Sequence, residues 1–159
     1  VSQNIAIENS NGEFWAKMDD DDWYFPNYLK DMIIKLRLGD YDLVGKNSAF
    51  VYFDGANQTA IRNPGMMSVD NNNLRGATLV SKNKFSEHLT FGDLKTGEDS
   101  ELLKKAKTHG LKIYASDPFN FMIYRSASTD QHTWKMEQKG LMATSLLLGS
   151  GQLFDICEF

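Results

Sequence analysis

Hydrophobic and polar positions follow two periods along this chain, and each change of period marks a new element. Residues 1–10 read as the end of a helix that turns Ile5 and Ala6 inward, with Asn11-Gly12 as its stop signal. Residues 13–18, Glu-Phe-Trp-Ala-Lys-Met, read as a short strand rich in aromatic groups. Pro26 suits the first turn of a helix, where a missing N–H costs nothing. Leu29, Met32, Ile33 and Leu36 then recur at the offsets of one apolar stripe, and Gly39 ends it. Residues 41–46 and 49–53 carry Val, Tyr and Phe at strand density around a turn near residues 45–48.

The pattern weakens over residues 54–76, where glycines, Pro64, Met66-Met67 and Asp70-Asn71-Asn72-Asn73 describe a long loop with one strand at 59–62. Residues 77–81 read as a further strand and 84–88 as a short helical turn. Thr96-Gly97-Glu98-Asp99 opens a helix that faces Leu102, Leu103 and Ala106 inward and Lys104, Lys105 and Lys107 outward, and that stops at Gly110. Residues 112–115 and 119–124 are strands on either side of Asp117-Pro118. A polar stretch follows over 126–131, then a helix over 136–148, while 149–159 show no period. Strands alternating with helices imply an α/β protein, a mixed sheet with helices packed on it.

Composition narrows the partners more than the fold. At 159 residues, with 42% hydrophobic and 24% charged residues, the chain can form one domain with a substantial core. Its net charge of -4 offers no basic footprint for nucleic acid, so an anionic ligand would need a bridging cation. One cysteine, Cys157, rules out an intrachain disulfide framework, reads as a small apolar filler and suits a reducing, cytoplasmic setting. No apolar run has the length of a membrane span, and the N-terminus lacks the basic start and hydrophobic region of a signal peptide. Because Val1 falls inside an amphipathic segment, the expectation is a piece of something longer.

One stretch changes the picture. Asp19-Asp20-Asp21-Asp22 sets four adjacent carboxylates between Phe14, Trp15 and Met18 on one side and Trp23, Tyr24 and Phe25 on the other. Such anions repel one another, so a fold that gathers them needs a cation, basic partners or full solvation. A solvated loop is the ordinary fate of an acidic run, but the large apolar flanks are foreign to an acidic tail. Trp23 and Tyr24 fall where an EF-hand needs an oxygen ligand and a glycine, which excludes that loop. Two other polar groups stand out: Gly97-Glu98-Asp99 and His132-Thr133-Trp134. Thr96 and Asp99 also have the spacing of a capping box, and His132 also reads as a surface residue, as do His88 and His109. Trp23 and Tyr24 either stack on a sugar or pack in the core.

Together with Asn4, Gly12-Glu13, Pro26, Leu29, Gly76-Ala77-Thr78-Leu79, Phe91 and Gly110, these motifs come in an order that resembles the second half of a family 2 glycosyltransferase of the GT-A fold, over residues 1–135. The resemblance implies a nucleotide-diphospho-sugar transferase-like domain lacking its N-terminal nucleotide-binding units, with residues 136–159 a helical extension. It implies that Asp19, Asp20 and Asp21 bind the donor, with Asp21 the direct ligand of Mn²⁺ or Mg²⁺ and Asp19 a water-mediated ligand or a ribose contact. Asp22 would assist or face the N-terminus of the helix after Pro26. Asp99, beside Glu98, would be the general base toward an acceptor hydroxyl. Gly76, Ala77 and Thr78 would line the acceptor side, although they also read as an ordinary strand start. His132 would ligate the metal and Trp134 would close a loop over the donor. The partners implied are a UDP-sugar or similar donor, a saccharide or other hydroxyl acceptor, and a second copy or a missing N-terminal half. The competing reading is a non-catalytic divalent-cation or carbohydrate-binding module.

Overall fold

In this computed structural model, residues 2–69, 73–93, 97–128 and 138–159 are described. The elements in chain order are α1 (Ser2–Glu8), β1 (Phe14–Ala16), β2 (Trp23–Tyr24), α2 (Tyr28–Leu38), β3 (Leu43–Lys46), β4 (Ala49–Phe53), β5 (Gln58–Arg62), β6 (Ser68–Val69), β7 (Val80–Lys82), α3 (Glu98–Thr108), β8 (Ile113–Ser116), β9 (Phe121–Arg125), α4 (Gln138–Ala143) and β10 (Ser145–Ser150). The chain is therefore α/β with mixed sheets, as its alternating periods imply. It divides into two compact units. The first holds the residues up to Met18 with Leu29–Asn47 and Met67–Ser116, and the second holds Asp19–Tyr28, Ser48–Met66 and Asp117–Phe159.

The first unit is built on the sheet β1-β7-β3-β8-β6, in which only β3 and β8 run parallel. Its core joins Leu43, Ile113 and Ala115 of the sheet to Leu102, Leu103 and Ala106 of α3. These are the three residues the sequence turns inward. Each fully buried Leu or Ile contributes about 1.5–3 kcal/mol relative to exposure. The end of α3 follows from local chemistry: Gly110 takes a φ of 70°, and Leu111 N–H then donates to Ala106 C=O at 3.0 Å, the long bond of a Schellman turn. Gly97, with φ 86°, is the N-cap, so the capping box expected from Thr96 is not how this helix starts. Thr96 itself lies outside the described residues.

Two apolar stripes are corrected by the structure. In α2 the buried set is Tyr28, Met32 and Leu36, while Leu29 is 42% exposed. Pro26 sits in a turn before the helix, closed by Tyr28 N–H donating to Phe25 C=O at 2.9 Å, so the helix starts at Tyr28, which is buried in place of Leu29 while Met32 and Leu36 are buried as the stripe implies. In α1 Ile5 and Ala6 are exposed. The inward side carries Ile7 against the core, and Asn4, whose amide donates to Phe91 C=O at 2.9 Å and accepts Phe91 N–H at 2.8 Å.

The second unit is built on the sheet β10-β5-β4-β9-β2, with β4 and β9 its only parallel neighbours. Strands β3 and β4, expected around one turn, are not partners: each pairs in its own sheet. Within residues 54–76 the strand expected at 59–62 is present as β5, and Ser68–Val69 adds β6. A 3-10 turn over Asp54–Ala56 and Asn57 in the left-handed conformation (φ 48°) fold β4 and β5 into a hairpin. The helix expected over 136–148 ends at Ala143, and β10 replaces its second half. Thr144 N–H and the Ser145 hydroxyl both donate to Leu141 C=O, at 3.2 and 2.7 Å, a local competition that closes the helix and frees the chain to pair with β5. One face of this sheet buries Phe50, Tyr52, Met122 and Cys157; the other buries Val51, Phe53 and Ala60 under Leu141 of α4.

Candidate metal and acid-base sites

The acidic run lies between β1 and β2 and belongs to the second unit. Two hydrogen bonds fold it. The Tyr24 hydroxyl oxygen accepts Asp19 N–H at 2.8 Å, and Asp22 Oδ1 accepts Tyr124 N–H at 3.1 Å, one step beyond the β2-β9 pairing of Trp23 with Met122. Pinned at both ends, the loop brings one carboxylate oxygen each from Asp19, Asp21 and Asp22 within 4.8 Å of one another. Asp21 is exposed and the other two are half-buried. Asp20 is an exposed turn residue outside this group. Asp22, ambiguous in sequence, is thus one of the three grouped carboxylates.

The aromatic flanks pack against the sheet and help hold this loop. Trp23 packs on Tyr52, Tyr124 and Phe154 at centroid distances of 5.9, 5.2 and 4.8 Å. Tyr24 lies between Tyr28 and Phe121. Burial pushes the Tyr24 hydroxyl well above the usual tyrosine range, the Asp19 N–H opposes that, and the charges of Asp22, Asp19 and Asp21 add to it. Tyr28 shifts the same way, mostly by burial. Both therefore stay neutral at physiological pH.

Sequence reading passed over a pair of cations in this unit. Arg125 ends β9 and is only 7% exposed. Burial lowers its pKa while the charges of Asp21 and Asp22 raise it, so it stands near the carboxylate group as a partial counter-charge. Arg62 is lowered by burial first and then by the charge of Arg125. An arginine at a strand end carries no motif, which is why sequence spacing did not single out either one.

Glu98 and Asp99 belong to the first unit, at the opening of α3. The Asp99 carboxylate lies 3.8 Å from Lys17 Nζ and rests on the backbone of Gly76, so close that a Cβ added at Gly76 would collide with it. Glu98 Oε1 accepts from Gln3 at 3.3 Å. Gly76, Ala77 and Thr78 form a 3-10 turn, and the strand expected from residue 77 begins at Val80. Ala77 and Thr78 are buried. The Thr78 hydroxyl accepts Lys46 N–H at 2.9 Å and donates to Arg75 C=O at 2.8 Å, which fixes the turn on which Asp99 rests. His132, Thr133 and Trp134 lie outside the described residues. His88 and His109 stack on each other at 4.4 Å.

The structure thus brings Asp19 and Asp21 together with Asp22 in one unit, and Asp99 together with Gly76 and Lys17 in the other. Three clustered carboxylate oxygens are a hard-ligand set of the kind that suits Mg²⁺ or Mn²⁺. No helix among the described residues is long and apolar enough to cross a membrane. In comparisons with known proteins, no family model and no curated relative matches the chain.

Proposed function

We propose that this chain is a metal-dependent inverting glycosyltransferase domain of GT-A type, moving a sugar from a nucleotide-diphosphate donor to a hydroxyl acceptor in a cytoplasmic setting. The observation that carries the reading is the grouping of Asp19, Asp21 and Asp22. Like charges gathered at that spacing raise the free energy of the fold unless a cation, basic partners or solvent compensates them, and a divalent cation does so most fully. Asp21 and Asp19 would hold Mn²⁺ or Mg²⁺, with His132 as a further ligand and Asp22 supporting from its bond to Tyr124 N–H. A bound divalent cation supplies charge neutralisation for a diphosphate leaving group.

Asp99 takes the base role in this reading. It accepts the proton of the acceptor hydroxyl as the acceptor oxygen forms its bond to the anomeric carbon, and the carbon–oxygen bond to the diphosphate breaks with its electron pair leaving on phosphate. Attack opposite the leaving group inverts the anomeric centre. Lys17 Nζ, 3.8 Å from the Asp99 carboxylate, stands beside the proposed base. Gly76 admits that carboxylate because it has no side chain, and Glu98 orients the helix opening through Gln3. Trp134 would close over the donor.

A second reading has one observation in its favour: the three grouped carboxylates come from four consecutive residues of one unit, so a cation site is complete there without Asp99. That arrangement suits a non-catalytic cation- or carbohydrate-binding module. Calorimetric titration of UDP with and without Mn²⁺ separates the two. The transferase reading expects UDP binding that requires Mn²⁺ and is lost in Asp21→Ala. Mn²⁺ binding indifferent to UDP would favour the module, and no Mn²⁺ binding at all would sink both.

A further inference from the structure

We propose that His88 and His109 form a pH-sensitive latch, which holds residues 88–92 against α3 at neutral pH and releases them when both rings are protonated. The latch rests on the geometry of the first unit and stands apart from the transferase reading. Residues 88–92 run along one stripe of α3, in the direction opposite to the helix. His88 stacks on His109 with ring centroids 4.4 Å apart and 18° between the planes. Lys105 Nζ donates to Thr90 C=O at 2.9 Å and to the Thr90 hydroxyl oxygen at 3.2 Å. Gly92 lies so close to the Glu101 carboxylate that a Cβ there would collide with it. His109, Lys105 and Glu101 have the four-residue spacing of one helix face, while residues 88, 90 and 92 alternate with Leu89 and Phe91, which are buried in the core. The histidine pair is the fastening that responds to pH near neutrality, because imidazole gains its proton as pH falls through about 6.5.

One proton on the pair is compatible with the stack, because a cation over the face of a neutral aromatic ring is attracted to it. Two are not: imidazoliums at this separation repel each other. The charges around the pair decide which way the balance falls. Glu87 Oε1 lies 3.8 Å from His88 Nε2 and favours its protonation, as the carbonyl end of α3 favours a positive charge on His109, the C-cap residue. Both attractions are local in sequence. Glu87 precedes His88 in the chain, and His109 caps the helix, whether or not the rings touch, so neither attraction holds the two rings together. Lys105 and Lys107 in the last turn of α3, and Lys84 over the Phe85 ring before His88, add positive charge on both sides. Separating the rings relieves the repulsion and keeps both attractions, so the doubly protonated pair opens. His88 is half-buried and His109 exposed, which gives the released rings water to move into. The latch is therefore complete above the imidazole range and is lost as pH falls through it.

Amide exchange of Leu89 and Phe91 tests the latch, measured on the whole chain at pH 7 and pH 5 and corrected for the intrinsic pH dependence of exchange. Leu89 N–H donates to Phe85 C=O at 3.1 Å and Phe91 N–H to Asn4 Oδ1 at 2.8 Å, so both amides are protected while the segment is held. Protection in wild type is expected to fall about fivefold or more on going to pH 5, the factor for two unit charges at this separation in water. His109→Phe keeps a ring for His88 to stack on but takes no proton, and its protection should stay level between the two pH values. His88→Gln removes the stack, so its protection should be lower than wild type at pH 7 and change little on acidification. Glu87→Gln should leave the fall in place. Unchanged protection in wild type would overturn the latch, as would an equal fall in His109→Phe, since another group would then be titrating. A fall confined to wild type and Glu87→Gln supports it even in a protein that binds neither Mn²⁺ nor UDP.

Discussion

At Gly76 one added carbon reaches the Asp99 carboxylate. Gly76→Ala should therefore displace the proposed base, slowing sugar transfer at least tenfold while costing only about 1–3 kcal/mol of stability, the usual range for overpacking. Transfer rate and thermal unfolding measured on the same sample check this, and an unchanged rate would remove Asp99 from the chemistry. Tyr24 governs the other group: Tyr24→Phe loses the bond from Asp19 N–H and should cost about 1 kcal/mol, with a several-fold weaker Mn²⁺ affinity by calorimetry. Tyr24, Tyr28 and Cys157, neutral acids of the second unit, set an alkaline limit. Burial raises Tyr24 and Tyr28 above the tyrosine range and pushes the Cys157 thiol up to about 12. A raised folded pKa means the folded state keeps a proton that the unfolded state releases. The stability they confer is thus complete below the ordinary thiol and tyrosine values, roughly 8.5 and 10, and falls as pH climbs past them. Urea unfolding should show a steeper loss between pH 8 and 10.5 for wild type than for Tyr28→Phe.

At the scale of elements, what could be read from sequence and what could not divide along a physical line. Helix α3 was legible because its signals are local: glycine at both ends, apolar residues at helical spacing, lysines opposite. Strands β4 and β5 were legible at nearly their observed bounds, but their pairing was not, because β5 reads Gln-Thr-Ala-Ile-Arg and takes partners on both sides. The run Leu146-Leu147-Leu148 misled for the same reason, since it is exposed yet extended as the partner of β5. The carboxylate group was half legible. Acid density announced Asp19 and Asp21, while the place of Asp22 beside them depends on its bond from Tyr124 N–H, between residues 102 positions apart. Residues 149–159 gave no pattern because Thr59 ties them down: its hydroxyl donates to Gly151 C=O at 2.6 Å and accepts Leu153 N–H at 3.3 Å. Thr59→Val should leave both groups unpaired, cost about 1–3 kcal/mol and raise amide exchange over the tail from Gly151 onward. Unaltered exchange there would mean Cys157 and Phe154 hold the tail without it.

For the whole molecule, the proposed function turns on whether the three carboxylates that the second unit gathers bind a divalent cation. Asp19, Asp21 and Asp22 belong to the second unit and Asp99 to the first. Asp21→Asn removes one ligand charge at an exposed position with little effect on packing. The most direct measurement is thermal unfolding of wild type and Asp21→Asn with and without Mn²⁺. At a hundredfold excess over its dissociation constant, a cation that binds only the folded state adds about 2.7 kcal/mol, a rise of several degrees for a chain of this size. The account predicts that rise for wild type and its loss in Asp21→Asn. Equal shifts in the two proteins, or none in wild type, would contradict it.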